Sequence, residues 1–208
     1  MCDGPDGATW RLLLAHGAGA PMDSDFMNAI AAALAGRGIG VARFEFPYMA
    51  RRRTEGGKKP PDRAPVLLES WRRAIDSAEW NFPGARLAIG GKSMGGRMAT
   101  LLAAEPDCPG SVEAVITLGY PFHPPGKPDK LRTDHFGALA KPVLMVQGTR
   151  DPFGTRADVA GYVLPKRATV LWAEDGDHDL KPRKASGRTH DQAIAEAGAE
   201  IRDFLERI

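Results

Sequence analysis

Six short apolar runs alternate with longer segments of helical period along this chain of 208 residues, and this alternation restricts the fold more than any other feature. The runs that predict strands are Trp10–Ala15, Ile39–Phe46, Leu87–Gly90, Ala114–Leu118, Pro142–Gln147 and Thr169–Ala173. Amphipathic helices are predicted between and after them, with apolar faces over Phe26–Ala35, Val66–Ile75 and Ala193–Leu205. The alternation of strands and helices along the chain predicts an α/β fold: a doubly wound, mostly parallel six-stranded sheet with helices on both faces.

Length, charge and cysteine content narrow the class further. A chain of 208 residues suits one domain, expected over residues 1–208. A net charge of +2 gives no sign of nucleic acid, and no apolar stretch reaches the ~20 residues needed to cross a bilayer. The first residues lack a basic segment followed by an apolar one, and Cys2 and Cys108 form no disulfide framework. We therefore expect a cytoplasmic protein that binds neither nucleic acid nor membranes; the oligomeric state stays open.

A serine flanked by glycines stands where one predicted strand turns into a helix. The segment Gly91-Lys92-Ser93-Met94-Gly95-Gly96 follows the run at Leu87 and precedes a run of helix-forming residues. Glycines leave room for a tight turn that exposes the serine hydroxyl, and a helix starting there directs free N–H groups at developing negative charge. The pattern favours Ser93 as a nucleophile, although serine is also a common helix N-cap.

A serine nucleophile needs a general base and an acid that orients the base. Asp151 follows the predicted strand Pro142–Gln147, and His178 follows Thr169–Ala173, so both lie at the carboxyl ends of strands. The order serine, aspartate, histidine is that of the α/β-hydrolase arrangement. The alternative for Asp151 is a turn residue before a proline, and a lone histidine is usually structural. Position along the chain favours His178 as the base over the other histidines.

These motifs, together with His16-Gly17-Ala18-Gly19 and Gly148-Thr149-Arg150-Asp151, resemble the α/β-hydrolase superfamily over nearly the whole chain. The resemblance is greatest to small, lidless hydrolases near dienelactone hydrolase, in a branch without a known substrate. It implies a minimal fold with little or no cap, because the connection Gly119–Lys141 is short. It also implies an oxyanion hole made by the backbone N–H groups of Met94 and of Ala18 or Gly17.

A basic run, Arg51, Arg52 and Arg53, follows the predicted strand Ile39–Phe46 and so begins on the catalytic side of the sheet. The glycines and prolines of Arg51–Pro65 predict a loop. One interpretation is recognition of an anionic substrate, since guanidinium groups suit carboxylate and phosphate; the other is a solvated charged face.

Three further side chains are candidates for substrate binding. Lys92 occupies the variable place beside the serine, where exposure to solvent is the favoured interpretation and charge stabilisation the alternative. Tyr48 and Phe122 lie near strand ends and can line the pocket or belong to the core. The acid-rich segment around His178 has no second group of ligands, so neither a metal nor another cofactor is expected.

The expected function is a serine hydrolase, and specifically a carboxylesterase acting on small or short-chain esters through an acyl-enzyme. Amidase, thioesterase and lactonase activities stay open, because the same three residues serve several acyl transfers. Lactone hydrolysis is disfavoured because dienelactone hydrolase uses cysteine where this chain has Ser93. The alternative from another class is a non-catalytic interaction protein that uses its basic segment to bind a partner.

Overall fold

A computed structural model describes all residues from Met1 to Ile208. The strands are β1 (Cys2–Asp3), β2 (Trp10–Ala15), β3 (Gly40–Phe44), β4 (Arg86–Lys92), β5 (Val112–Leu118), β6 (Val143–Gly148) and β7 (Ala168–Ala173). The helices are α1 (Asp25–Ala35), α2 (Pro47–Glu55), α3 (Ala64–Asn81), α4 (Met94–Ala104), α5 (Arg156–Val159) and α6 (His190–Arg207). Each predicted strand and amphipathic helix is present, with ends that differ by a few residues.

The strands form one sheet in the order β1-β3-β2-β4-β5-β6-β7. All neighbours pair in parallel except β1, which runs antiparallel to β3. The prediction of a mostly parallel α/β sheet is confirmed, and β1 is an additional seventh strand. The sequence did not indicate β1 because it has two residues and no apolar run.

Two apolar cores cover the two faces of the sheet. On one face α3 and α4 pack against the strands, with Trp71, Ile89 and Met98 among the buried residues. On the other face α1 and α6 pack together, with Ile30 and Ile201 fully buried. The prediction of helices on both faces is confirmed. The carboxyl ends of the parallel strands are left free to carry the functional loops.

The basic segment does not form the loop that its glycines and prolines predicted. Pro47 begins α2, where its missing N–H and fixed φ suit the first turn of a helix, and the helix ends at Glu55 before Gly56 with φ of 72°. Arg51, Arg52 and Arg53 are therefore helical, and only residues 56–63 connect irregularly to α3.

The connection from β5 to β6 contains a single 3-10 turn at Phe136–Ala138 and no inserted cap. Its aromatic side chains, Tyr120, Phe122 and Phe136, are buried against one another. None of the helices combines the length and the apolar character that a membrane-spanning helix requires.

Candidate active site

Ser93 is the single residue between β4 and α4, and it has the strained backbone angles φ 51° and ψ −115°. Its N–H donates to the carbonyl of Leu118 at 2.9 Å, which ties the turn to β5. A Cβ atom at Gly95 would lie 2.6 Å from the carbonyl oxygens of both Ala15 and His16. The sharp turn therefore requires glycine where the helix approaches β2, and the strain at Ser93 is held by this close packing.

Asp151 and His178 meet although they come from different strand ends. Oδ2 of Asp151 lies 2.8 Å from Nδ1 of His178. The carboxylate is fully buried, and its Oδ1 accepts a hydrogen bond from the N–H of Phe153 at 2.9 Å. A buried carboxylate at this distance orients the imidazole and favours the tautomer with hydrogen on Nδ1, which leaves Nε2 free to accept a proton.

The side-chain amide of Gln147, the penultimate residue of β6, holds Asp151 in place. Nε2 of Gln147 donates to Oδ2 of Asp151 at 2.9 Å and to the carbonyls of Tyr120 and Gly154 at 3.2 Å. Oε1 of Gln147 accepts from the N–H of Tyr120 at 2.7 Å. One buried amide thus joins the ends of β5 and β6 to the carboxylate.

We expect Gln147→Leu to destabilise the protein by about 3 kcal/mol, because it leaves the buried N–H of Tyr120 and the carbonyl of Gly154 without their side-chain partner. The same change should lower activity, since Asp151 loses one of its two supporting donors. Chemical denaturation and ester turnover check both effects. Gln192→Leu, on the exposed first turn of α6, is the control for activity only, because Oε1 of Gln192 accepts from the Thr189 N–H in the helix cap; equal effects of the two changes on activity would contradict this role.

Ser93 and His178 line the same open cleft of about 510 Å³ at the carboxyl ends of the strands. Phe153 also lines it, with its ring centroid 4.3 Å from that of the imidazole. No hydrogen bond joins the Ser93 hydroxyl to His178, and such contacts often tighten only when substrate binds. The structure therefore brings Ser93 and His178 of the predicted triad to one cleft, with Asp151 buried behind the imidazole.

The backbone of Gly17 and Ala18 lines the cleft, and the carbonyl groups of these two residues point away from it. The Gly17 carbonyl lies 2.7 Å from Nδ1 of His16 and accepts from the Tyr48 hydroxyl at 3.0 Å. Nε2 of His16 accepts from the N–H of Phe46 at 3.1 Å, so Nδ1 carries the hydrogen. In a trans peptide the next N–H, that of Ala18, points opposite to the Gly17 carbonyl. The N–H groups of Ala18 and of Met94 donate to no other backbone group.

Tyr48 does not line the cleft, so it belongs to the core, which was the alternative to its place as a candidate pocket residue. Its side chain is fully buried behind the Gly17-Ala18 segment, and burial raises the pKa of its hydroxyl to about 12. Nη1 of Arg52 donates to the carbonyl of Ala18 at 3.3 Å from the same side. Both side chains support the segment from behind.

The other arginines of the basic run form ion pairs with the protein itself. Arg51 contacts Asp62 at 2.5 Å, and Arg53 contacts Asp23 and Glu45 at 2.5 and 2.6 Å. None of the three arginines lines the cleft. The structure thus does not place the run where an anionic substrate would bind.

Phe122 is likewise not in the cleft. It is fully buried, with its ring 4.8 Å from that of Tyr120, and a Cβ at Gly154 would lie 2.6 Å from the ring. Phe122 belongs to the core, which was the alternative interpretation of its sequence position.

Lys92 is buried, so the prediction that it faces solvent is wrong. Its Nζ donates to the backbone carbonyl of His178 at 2.7 Å and lies 3.1 Å from Oδ1 of Asp179. Burial lowers the pKa of the Lys92 amine, while the charge of Asp179 opposes that effect. Lys92 thus connects the strand that carries Ser93 to the loop that carries His178.

We expect Lys92→Met to lower kcat about tenfold with little change in KM, because His178 loses a charge-assisted hydrogen bond worth roughly 1.5–3 kcal/mol. Steady-state kinetics on a neutral ester measure both constants. Lys181→Met removes an exposed amine from the same loop and serves as control. A rise in KM at constant kcat would instead indicate that Lys92 contacts substrate.

Sequence reasoning missed Gln147 and Phe153. A glutamine at the end of an otherwise apolar strand was the available signal for Gln147, whereas nothing in the pattern distinguished Phe153 from a core residue. His190 opens α6, whose N-cap is Thr189. No group of three or more His, Cys, Asp or Glu side chains has an arrangement that could hold a metal ion.

A mostly parallel sheet with a strained serine at a strand-to-helix turn is the architecture of α/β hydrolases. Residues 8–206 match the alpha/beta hydrolase domain family, and the chain belongs to that family. This membership makes it a hydrolase of the α/β type, and the fold implies a small-molecule substrate.

Solved structures with the same fold include esterases and a serine hydrolase homologue. Dienelactone hydrolase from Anabaena variabilis is 20% identical, with a TM-score of 0.72 over 99% of this chain and 89% of its own. The esterase domain of a Rhodothermus marinus protein is 17% identical, with a TM-score of 0.70 over 99% and 91%. An alpha-beta serine hydrolase homologue from Coxiella burnetii is 18% identical, with a TM-score of 0.67 over 94% and 89%. At these identities the likeness shows the fold.

Proposed function

We propose that this protein is a serine carboxylesterase that acts on small or short-chain esters. The observation that carries the proposal is the 2.8 Å contact between His178 and the buried Asp151, in a cleft that Ser93 also lines. A buried carboxylate, an oriented imidazole and a serine that a substrate can reach are the groups that nucleophilic acyl transfer requires.

In the proposed reaction Ser93 attacks the ester carbonyl while Nε2 of His178 accepts the hydroxyl proton. His178 then gives that proton to the leaving alcohol, and an acyl-enzyme forms on Ser93. Water, deprotonated by the same imidazole, releases the acid and restores the serine. Throughout, Asp151 holds the ring and stabilises the imidazolium from its buried position.

The proposed oxyanion hole consists of the N–H groups of Met94 and Ala18. Met94 is the first residue of α4, where the N–H groups have no partner within the helix. The orientation of the Gly17 carbonyl favours the N–H of Ala18 over that of Gly17. Losing one such donor typically costs on the order of 100- to 1,000-fold in rate.

The open cleft supports small or short-chain esters as substrates. The connection between β5 and β6 carries no cap that would enclose a long acyl chain. The presence of esterases among the solved structures with this fold favours an ester over an amide or a thioester as the substrate. A partner-binding role for Arg51, Arg52 and Arg53 is less favoured, because intramolecular contacts occupy all three side chains.

Labelling with a fluorophosphonate probe tests this proposal, since the probe reacts with activated serines. We expect the wild-type protein to take up one label, which peptide mass spectrometry assigns to Ser93, and to hydrolyse p-nitrophenyl acetate. A folded protein that takes up no label and hydrolyses no ester or amide in a panel would contradict the proposal.

We further propose that residues 1–208 act as one domain in the cytoplasm. One continuous sheet contains strands from β1 to β7, and its two cores draw on helices from both ends of the chain. Cys2 and Cys108 are both free thiols, which suits a reducing compartment. Limited proteolysis tests whether the chain is one domain, and subcellular fractionation tests its location.

A further inference from the structure

A second cavity, of about 360 Å³, adjoins Ser93; two arginines line it, and His178 does not. Arg97 lies one turn into α4, and its N–H donates to the Ser93 carbonyl at 3.0 Å. Arg132 comes from the connection between β5 and β6, and its N–H donates to the Phe122 carbonyl at 2.8 Å. Ala18 and Met94, the proposed oxyanion donors, line this cavity as well.

These two arginines differ from most others in the protein because they lack a carboxylate partner. Most arginines form ion pairs with Asp or Glu, for example Arg53, Arg72 and Arg183, and Arg97 and Arg132 are not among them. Nε of Arg97 is buried without any hydrogen-bond partner. A buried donor on a charged group is costly to leave without a hydrogen bond. A ligand that accepts a hydrogen bond from this N–H is therefore bound more tightly.

The groups around Arg97 and Arg132 do not neutralise the positive charges of these two side chains. Burial and the positive charge of Arg97 both lower the pKa of Arg132. Burial, with the same charge as the smaller cause, lowers the pKa of His135 to about 4, which keeps that ring neutral at physiological pH. The Tyr120 hydroxyl donates to the Arg132 carbonyl at 2.7 Å, and the nearby Asp134 is exposed and pairs with neither arginine.

The cleft on the other side of Ser93 has the opposite electrostatic character. Its only lysine, Lys92, pairs with Asp179, and Asp25 adds a further carboxylate to the lining. An anionic substrate group would be repelled there and attracted to the second cavity. The two cavities share Ser93, Ala18 and Phe153, so a bound ester can extend into both.

We propose that Arg97 and Arg132 form a subsite for an anionic group of the substrate, so that the preferred esters carry a carboxylate or phosphate a short chain away from the scissile bond. This inference rests on the proposed esterase function, and it identifies the substrate class. Guanidinium groups offer paired, planar donors that match the oxygens of both anions. The site therefore discriminates between a charged ester and its neutral counterpart.

The test compares the p-nitrophenyl hemiester of adipic acid with neutral p-nitrophenyl hexanoate, each corrected for its uncatalysed rate. We expect the wild-type protein to show the higher kcat/KM on the hemiester. Arg97→Gln and Arg132→Gln should each lower that value roughly tenfold to a hundredfold, the effect of losing a charged hydrogen bond, and change the neutral ester less than twofold. Glutaric and suberic hemiesters locate the best chain length.

Arg167→Gln is the matched control, because it removes one exposed arginine at the opposite end of the sheet. Thermal unfolding of each variant verifies folding. Equal wild-type activity on hemiester and neutral ester, or variants that lose both activities alike, would overturn the anion subsite and leave the esterase function standing. Absence of turnover on every ester would instead reject the esterase function.

A binding measurement keeps the subsite testable even without turnover or if one variant fails to fold. Calorimetric titration of the wild-type protein with adipate and with butyl phosphate should give heat of binding, and the comparison tells which anion is preferred. Binding should weaken at least tenfold in a folded arginine variant and persist in Arg167→Gln. No binding of either anion to the wild-type protein would overturn the subsite.

Discussion

Replacement of Ser93 by alanine is expected to lower kcat on p-nitrophenyl acetate by about 10⁴- to 10⁶-fold, the range found when a catalytic nucleophile is removed. The reason is chemical, because alanine has the same Cβ as serine and loses only the hydroxyl that forms the acyl-enzyme. The backbone strain at φ 51° is unchanged, so the turn between β4 and α4 should persist. Stopped assays at high protein concentration can follow the residual rate.

Two companion variants make this result specific. Ser70→Ala removes a hydroxyl that donates to the Val66 carbonyl on the exposed surface of α3, and it should retain full activity. Ser93→Gly should be as inactive as Ser93→Ala but more stable by about 1 kcal/mol, because glycine adopts positive φ without strain. Undiminished turnover and labelling in Ser93→Ala would place the nucleophile elsewhere.

Replacement of Asp151 by asparagine is expected to lower kcat by about 10⁴-fold, because the amide disturbs the tautomer of His178. If the asparagine oxygen faces Phe153, its NH₂ group faces Nδ1 of His178 and Nε2 of Gln147. The imidazole must then present a lone pair at Nδ1 and carry its hydrogen on Nε2, where it cannot accept the serine proton. In the other orientation the NH₂ group faces the N–H of Phe153, so two buried donors oppose each other.

This second change should also cost about 1–3 kcal/mol of unfolding free energy, because either orientation leaves a buried donor without an acceptor. Steady-state kinetics and chemical denaturation measure the two effects separately. Asp191→Asn, on the exposed first turn of α6, is the control for an aspartate-to-asparagine change. A folded Asp151→Asn protein with more than about a tenth of wild-type kcat would show that another group orients His178.

The sheet could be predicted because its central strands, β2, β4, β5 and β6, are buried on both faces and therefore read as apolar runs. The order of Ser93, Asp151 and His178 at strand ends predicted that these residues meet, since parallel strands bring their carboxyl ends to one edge. Both inferences use local pattern and chain order. They required no knowledge of which side chains touch.

The features that could not be predicted depend on contacts between distant segments. Arg53 lies in a run that resembles a solvated or anion-binding face, but Asp23 and Glu45 from two other segments neutralise it. Conversely, Arg97 and Arg132 are isolated in the sequence, and only the fold shows that they share a cavity without a carboxylate. Pairing of charges is a tertiary property, so counting arginines along the chain could not show which of them have a carboxylate partner.

The contact between Lys92 and the His178 carbonyl has a consequence for the motion of the loop after β7. Lys92 precedes Ser93 in the chain, so the amine that holds the His178 backbone belongs to the residue next to the proposed nucleophile. A displacement of β4 then carries Ser93 and His178, the proposed donor and acceptor of the transferred proton, in the same direction. The distance between serine and histidine should accordingly fluctuate less than the distance of either residue from the rest of the sheet.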